Sequence, residues 1–383
     1  MFKRLININQ ESKHSVFIFG PRGTGKTSWL KQHFGDALYF DLLNDDIYTE
    51  LSARPTRLND KIPDGYQGWV IVDEVQKIPA ILNEVHRLIE GRNLRFILTG
   101  SSARKLKAQG VNLLAGRALT YHMHPLTCLE LGEQFSLTKS LVLGHLPMAI
   151  TSNEPEKYLS SYVASYLREE VLQEGLTRNI ALFTRFLETA SFSQGEVLNY
   201  TAISREIASN RHTVANFFEI LEDLLIACRV PVFSKRATRD MVNSPKFYYF
   251  DAGVYRSIRP QGPLDSASEI DGATLETLFL QEAKAYNDYF DLGYSFYYWR
   301  TRDKKEVDFI LYGKKGFFAF EIKRKARLDT KDFKGLKAFA KDYPEAKFYM
   351  LYGGNETYFE GNVQVVPFKQ ALRNLPKLLS GVL

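Results

Sequence analysis

The sequence predicts an α/β chain that opens with a parallel sheet and closes with a second set of strands and helices. Three observations carry this expectation. Apolar runs alternate with helical patterns from residue 15 to residue 101, the mark of strands covered on both faces. Residues 154–190 read as helix throughout, and a helix–turn–helix pattern with two β-runs follows between 198 and 258. Closely spaced β-runs and a basic helix fill the last third. The 383 residues exceed one ordinary domain, and we divide them at 1–135, 136–197, 198–260 and 261–383.

Composition narrows the class. The chain is 45% hydrophobic and 25% charged, which excludes wholesale disorder. Its two cysteines, Cys128 and Cys228, exclude a disulfide scaffold or a cysteine-rich zinc module and match a reducing compartment. No apolar run reaches the roughly 18–20 residues that span a bilayer, and MFKRLININQ lacks the apolar segment of a signal peptide. A cytoplasmic protein with no membrane partner is expected. The net charge is +6, and residues 300–347 alone hold 15 Lys/Arg against 8 Asp/Glu. Such a basic face suits nucleic acid, DNA foremost.

Each element has its own reason. SVFIFG (15–20) is an apolar strand entering a glycine-rich turn, and residues 27–33 form the next helix. ALYFDL (37–42), WVIVDE (69–74) and LRFILTGS (94–101) are further strands. PAILNEVHRLIEG (79–91) places Ile81, Val85, Leu88 and Ile89 on one helical face, with Gly91 as C-cap. Tyr158, Tyr162 and Tyr166 mark a core stripe. TAISREIA, a turn at Ser209 and Asn210, and a helix with Val214, Phe217, Phe218, Leu221, Leu224 and Leu225 on one face precede two β-runs around a basic tip. This is the pattern of a winged helix. A linker (260–272), a helix (273–290), strands at 294–300, 306–312 and 316–324, a helix (329–341) and a strand (346–352) complete the reading.

Gly20, Pro21, Arg22, Gly23, Thr24, Gly25, Lys26 and Thr27 fit G-x-x-x-x-G-K-[ST], with Ser28 next. Backbone amides must turn inward around a phosphate, so glycines stand where a Cβ would obstruct. Lys26 is suited to the β/γ-phosphates of ATP and Thr27 to Mg²⁺. Asp73 is the expected Mg²⁺ partner and Glu74 the base that orients the attacking water. A second acid at that strand end favours hydrolysis over transfer to a small hydroxyl substrate. Thr99 or Ser101 is expected to reach the γ-phosphate or the water. Arg117 is the candidate arginine finger, supplied by a neighbouring subunit of a homo-oligomer, with Arg104 as competitor.

FGPRGTGKT, IVDEVQKIP, FILTGSSA, LLAGRA, HPLTCLEL and GHLP stand in the order found in predicted AAA-type ATPases of bacteria and archaea, which the chain resembles over nearly its whole length. The resemblance implies an ATPase module, a helical lid, a winged helix and a carboxy-terminal domain of poorly assigned function.

A second acidic constellation lies in that last domain. Asp308 sits in EVDFIL, and Glu321 and Lys323 share one face of FAFEIKR. Asp308 and Glu321 are expected to hold Mg²⁺, Glu276 to complete the metal site, and Lys323 to position the water that attacks a phosphodiester. The order E…D…E-x-K resembles the PD-(D/E)xK nucleases, which implies a restriction-endonuclease-like mixed sheet. Glu321 and Lys323 pairing with each other and with Arg300 or Arg302 is the structural alternative. Lys235, Arg236, Arg239 and Lys246 around the wing are expected to contact phosphates, and Arg211, His212, Thr213 and Asn216 to reach bases.

Overall fold

The computed structural model describes residues 2–102, 113–167, 171, 179–235, 239–263 and 265–380. Arg104, Arg236 and the side chain of Tyr166 lie outside the described part. The chain forms two compact units.

The first unit contains residues 3–124 and 223–226. Its strands are β1 (Ser15–Phe19), β2 (Leu38–Asp41), β3 (Trp69–Asp73), β4 (Arg95–Gly100) and β5 (Ala118–His122). They form one sheet in the order β2-β3-β4-β1-β5, and every pairing is parallel. All five residues of β1 and of β3 are buried, as expected for strands covered on both faces. The helices are α1 (Lys26–His33), α2 (Asp45–Ala53), α3 (Arg57–Asp60) and α4 (Ile81–Arg92). Asn44 caps α2 by accepting from the amides of Asp46 and Ile47. Helix α4 buries Ile81, Leu82, Val85 and Leu88, but it runs past Gly91. Asn93 takes the left-handed cap conformation instead (φ 53°).

The second unit contains residues 125–222 and 227–383. It starts with α5 (Cys128–Leu131), α6 (Leu137–Leu143), α7 (Pro147–Thr151), α8 (Pro155–Ser161) and α9 (Ile180–Ser191). Tyr162 is buried, as the stripe predicts. Helices α10 (Tyr200–Glu206) and α11 (Arg211–Asp223) then form the helix–turn–helix, and Asn210 Oδ1 caps α11 through the Thr213 amide at 2.8 Å. Phe183 and Phe186 of α9 pack on Phe217 and Phe218 of α11 with ring centroids 4.9–5.2 Å apart. Strands β6 (Ala227–Val230) and β7 (Lys246–Tyr249) pair antiparallel.

Described residues on both sides of the segment joining β6 to β7 are hydrogen-bonded to Tyr298 and Arg300. The Phe233 amide donates to Tyr298 O at 2.7 Å, and the Val242 amide to Arg300 O at 3.2 Å. The buried Phe233 ring sits 5.2–5.3 Å from those of Tyr297, Phe317 and Tyr343. Burial of that ring anchors what the sequence alone presents as a free basic tip.

After α12 (Ala252–Ile258) and α13 (Ala267–Tyr289) comes a mixed six-stranded sheet. Its strands are β8 (Ser295–Arg300), β9 (Glu306–Gly313), β10 (Gly316–Lys323), β11 (Lys347–Tyr352), β12 (Tyr358–Glu360) and β13 (Val363–Pro367), in the order β12-β13-β11-β10-β9-β8. Helices α14 (Lys334–Asp342) and α15 (Phe368–Ser380) complete the unit. No described helix is long and apolar enough to cross a membrane.

Candidate nucleotide site and a second acidic centre

In the first unit the chemistry gathers at the carboxyl ends of β1, β3 and β4. The turn after β1 is shaped for an anion. Gly25 begins α1 in the left-handed region (φ 93°), and a Cβ on Gly20 would lie 2.2 Å from Met123 O. Pro21 and Thr24 are buried, and Thr24 Oγ1 donates to Pro21 O at 2.9 Å, which closes the loop; Arg22 and Gly23 are half-buried and Ser28 is exposed. Lys26 is buried, with Nζ 2.7 Å from Gly20 O and 3.3 Å from Pro21 O. Strand β4 lies between β1 and β3, so its Thr99 stands between the loop and the acidic strand end.

Asp73 is the hub. Thr27 Oγ1 donates to Asp73 Oδ2 at 2.8 Å, Tyr39 donates to the same oxygen, and Thr99 donates to Oδ1. Thr99 Oγ1 also accepts from the Glu74 amide at 3.2 Å. Its hydroxyl is thus committed to the two acids. Burial, and then the charge of Asp73, push the Tyr39 phenol far above its ordinary range, so it remains a donor. Glu74 leaves the strand with φ 61°, and its carboxylate accepts from Gln76. Gln76 Nε2 also donates to Ser101 Oγ at 3.0 Å. Sequence reasoning missed Tyr39 and Gln76. The strand pattern LYFD and the acidic VDEVQ were visible, but neither motif requires a phenol or an amide at those places.

Arg117 lies at the other end of the sheet. Its carbonyl accepts from the amide of Ser15, the first residue of β1, whereas the glycine loop follows the last. A five-residue strand separates them by roughly 16 Å. The guanidinium pairs with Glu90. Arg117 therefore does not reach the phosphate loop of its own chain.

Nucleotide and Mg²⁺ fit the residues present. The loop has glycine where a Cβ would collide, and among the described residues the partners of Asp73 are neutral hydroxyls that leave its charge for a cation. Lys26 would face the phosphates, and Thr27 with Asp73 would hold the metal.

A second acidic centre lies in the mixed sheet of the second unit. β9 and β10 pair antiparallel as far as Phe309 with Phe320, then fork: β9 continues against β8 and β10 against β11. Asp308 and Glu321 stand at that fork. Asp308 Oδ2 accepts from the Ile322 amide at 2.8 Å, so the carboxylate fills the place of the next strand partner. Glu321 Oε1 is 2.6 Å from Lys323 Nζ, the pairing expected from the alternation of β10. Glu276 reaches the same place from α13 and accepts from Tyr248 Oη at 2.7 Å.

The metal cage expected of Glu276, Asp308 and Glu321 is not assembled. Among the described residues no three His, Cys, Asp or Glu side chains are grouped to hold a metal ion. The reason is Lys246. It was expected at a phosphate-contacting wing, but its side chain is 2% exposed and enters the acidic centre from β7. Its ammonium pairs with Glu306 and stands 3.8 Å from Glu276 Oε2 and 3.7 Å from Asp308 Oδ1. Arg300 holds the other oxygen of Glu306 at 3.1 Å. Burial, partly offset by Lys246, pushes Glu276 up to about 7. Burial and then Asp308 push Glu321 up to about 8. Burial alone would lower Lys323, but Asp308 and Glu321 outweigh it and hold the ammonium charged.

Of the other basic residues, Arg239 pairs with Asp342 at 2.6 Å, and Lys235 lies 4.3 Å over the ring of Tyr312. Arg211 and His212 are exposed at the start of α11, whereas Thr213 and Asn216 are half-buried.

Residues 12–132 match a family model described as an AAA domain. Residues 134–265 and 271–371 match two models each described as a domain of unknown function, DUF8612 and DUF4143. An uncharacterized protein of Mycobacterium tuberculosis is 24% identical over 368 residues, which cover 93% of this chain and 80% of that protein. An uncharacterized protein of Methanocaldococcus jannaschii is 27% identical over 191 residues, 46% of this chain and 38% of its own. Solved structures with some likeness include the ORC1 protein of Aeropyrum pernix in complex with DNA, at 13% identity and a TM-score of 0.25 over 65% of this chain and 87% of that one. Protein VC1899 of Vibrio cholerae matches at 11% identity and a TM-score of 0.24 over 95% and 97%. Scores of this size establish no shared fold. The family match and the geometry around Asp73 agree: residues 12–132 form an AAA-type, P-loop ATP-binding domain.

Proposed function

We propose that this chain hydrolyses ATP in its AAA-type domain and uses the nucleotide state to control nucleic-acid binding by the region that follows. The observation that carries the first half is the Asp73 carboxylate, held by the Thr27, Tyr39 and Thr99 hydroxyls beside the glycine loop. In this reading the loop amides and Lys26 cradle the phosphates, and Thr27 and Asp73 hold Mg²⁺. Glu74 takes up the proton of the attacking water, and Gln76, which also donates to Ser101, holds that carboxylate. A cavity of about 750 Å³ lined by residues 3–11 with Trp29, His33 and Phe34 is the seat for the base. The buried Trp29 Nε1, which has no hydrogen-bond partner, supports it. Arg117 acts in trans within a homo-oligomer, because its place on the sheet rules out its own site. The exposed Arg211 and His212 at the start of α11, in a winged-helix arrangement, and the basic excess of residues 300–347 support nucleic acid, DNA foremost, as the partner.

The carboxy-terminal centre has two readings. In one, a nuclease-like domain cuts phosphodiesters with a divalent metal on Glu276, Asp308 and Glu321 and with Lys323 positioning water. In the other, the protein is an ATP-dependent switch that binds without cutting. The ammonium of Lys246 among the carboxylates favours the second. ATP turnover of the purified chain with and without DNA tests the main reading, and turnover lost in Glu74→Gln but indifferent to nucleic acid would confine it to the ATPase. A Mg²⁺/Mn²⁺-dependent nuclease assay with Glu321→Ala as control separates the two readings.

A further inference from the structure

A buried group of like charges must be neutralised by something, and the neutralising group decides what else can enter. Four carboxylates, Glu276, Glu306, Asp308 and Glu321, face three cations, Lys246, Lys323 and Arg300. Two of these cations sit at the margin. Lys323 is 32% exposed and Arg300 25%, whereas Lys246 is 2% exposed and touches three of the four acids. The backbone that carries it is fixed. Lys246 pairs in register with Val230 of β6, bridges Val197, and is followed by the fully packed Phe247, Tyr248 and Tyr249. One acceptor is left over: Glu321 Oε2 is buried with no hydrogen-bond partner, and that side chain interacts with Asp308, Lys323 and Lys246. The geometry is that of a cation site with an unsatisfied oxygen at its edge and an ammonium already at its centre.

The nuclease resemblance implies a divalent metal at this place, and the residues as arranged do not fit one. A metal ion on Glu276 and Asp308 would stand within a few ångströms of the Lys246 ammonium, and two buried positive charges at that distance repel strongly. We propose that Lys246 is the resident cation of this centre, a tethered ammonium that replaces the divalent metal, so that the native chain binds no metal there. The inference rests on the centre being related to a metal site, and it names what took the metal's place. The strand β7 that delivers Lys246 leaves the helix–turn–helix region, so that region and the acidic centre share one electrostatic core. A fragment that begins after β7 would keep all four carboxylates and lose Lys246.

The test uses the full chain without nucleotide, so that the P-loop holds no metal, and Mn²⁺ as probe, read by the free-ion EPR signal and by melting temperature. Wild type is expected to take up no stoichiometric Mn²⁺ and to melt at the same temperature with and without it. Lys246→Met, which keeps the chain length and removes the charge, is expected to melt lower than wild type, to bind one Mn²⁺, and to recover several degrees on binding. Adding Asp308→Asn to Lys246→Met should abolish both responses. If wild type binds Mn²⁺ at a site that Asp308→Asn removes, the lysine does not replace the metal and the cleavage reading survives. If folded Lys246→Met ignores Mn²⁺, the centre is an ion-pair network and both the inference and the cleavage reading fail. Should Lys246→Met not fold, Lys246→Gln gives the same comparison. Reductive methylation of wild type then adds an independent reading. Lys246 should stay unmodified with and without millimolar Mn²⁺, and modification induced by the metal would overturn the proposal.

Discussion

The two acidic centres of this chain are built from similar carboxylates and neutralised by opposite means. Around Asp73 the described partners are hydroxyls: Thr27, Tyr39 and Thr99 orient both oxygens and cancel none of the charge. Around Asp308 and Glu321 the partners are cations, Lys246 and Lys323, with Arg300 on the flanking Glu306. Hydroxyls prepare a carboxylate for a cation that arrives from outside, because they lower the cost of burial without competing for its charge. Ammonium groups close the account internally. An acidic pair in an apolar strand is therefore a weak sign of metal until its donors are known, and neutral donors are the informative ones.

Breaking the first centre should have the largest consequences. Lys26→Ala is expected to abolish tight nucleotide binding, measured by calorimetry, since its buried ammonium is the charge suited to the β/γ-phosphates. Arg117→Ala should leave nucleotide affinity intact and slow hydrolysis by about 10³-fold, the scale of an arginine finger. Mixing it with Lys26→Ala chains should restore some turnover, because mixed interfaces hold one intact site. No recovery at any mixing ratio would reduce Arg117 to its ion pair with Glu90. Glu74→Gln should hold ATP and lose about 10²–10⁴-fold in turnover, the range for a positioned base. Wild-type turnover in that variant would remove Glu74 from the mechanism.

Two smaller effects sharpen the contrast. Thr99→Val keeps the shape of the side chain and removes the donor to Asp73 and the acceptor for the Glu74 amide. It should cost about 1–3 kcal/mol of stability, seen as a lower urea midpoint, by leaving buried partners unsatisfied. In the second centre the signature is pH. The folded pKa of Glu321 is raised, from 4.5 to about 8, first by burial and then by Asp308. The folded state thus binds this proton more tightly than the unfolded one. Its contribution to stability is complete below about pH 4.5 and is lost as pH rises through about 8. The stability of wild type relative to Glu321→Gln should fall across that window, and a constant difference in urea midpoint would contradict the assignment.

Local pattern made much of this legible. The apolar runs at 16–19 and 69–72 lie in fully buried strands, and the glycine motif from Gly20 follows a strand and leads into a helix as its mechanism requires. Asp308, Glu321 and Lys323 converge as strand alternation predicts. Features that depend on distant packing were not legible. Tyr39 reads as an ordinary strand aromatic, and its bond to Asp73 depends on β2 and β3 being neighbours. Lys246 reads as one more cation in a basic hairpin, because its fate is decided by Phe233 docking that hairpin beside β8. The strands β12 and β13 escaped the reading, since short segments such as YFE and VQVVP carry little periodic signal, whereas helix α15 was missed although Phe368, Leu372, Leu375 and Leu379 recur at helical spacing around Pro376.

The central claim is that one acidic centre awaits a cation and the other carries its own. Counting Mn²⁺ bound to the full chain by EPR, with and without a non-hydrolysable ATP analogue, tests it most directly. The account predicts no stoichiometric Mn²⁺ without nucleotide and one with it, lost in Asp73→Asn and retained in Asp308→Asn. One Mn²⁺ bound without nucleotide, lost in Asp308→Asn and retained in Asp73→Asn, would contradict it.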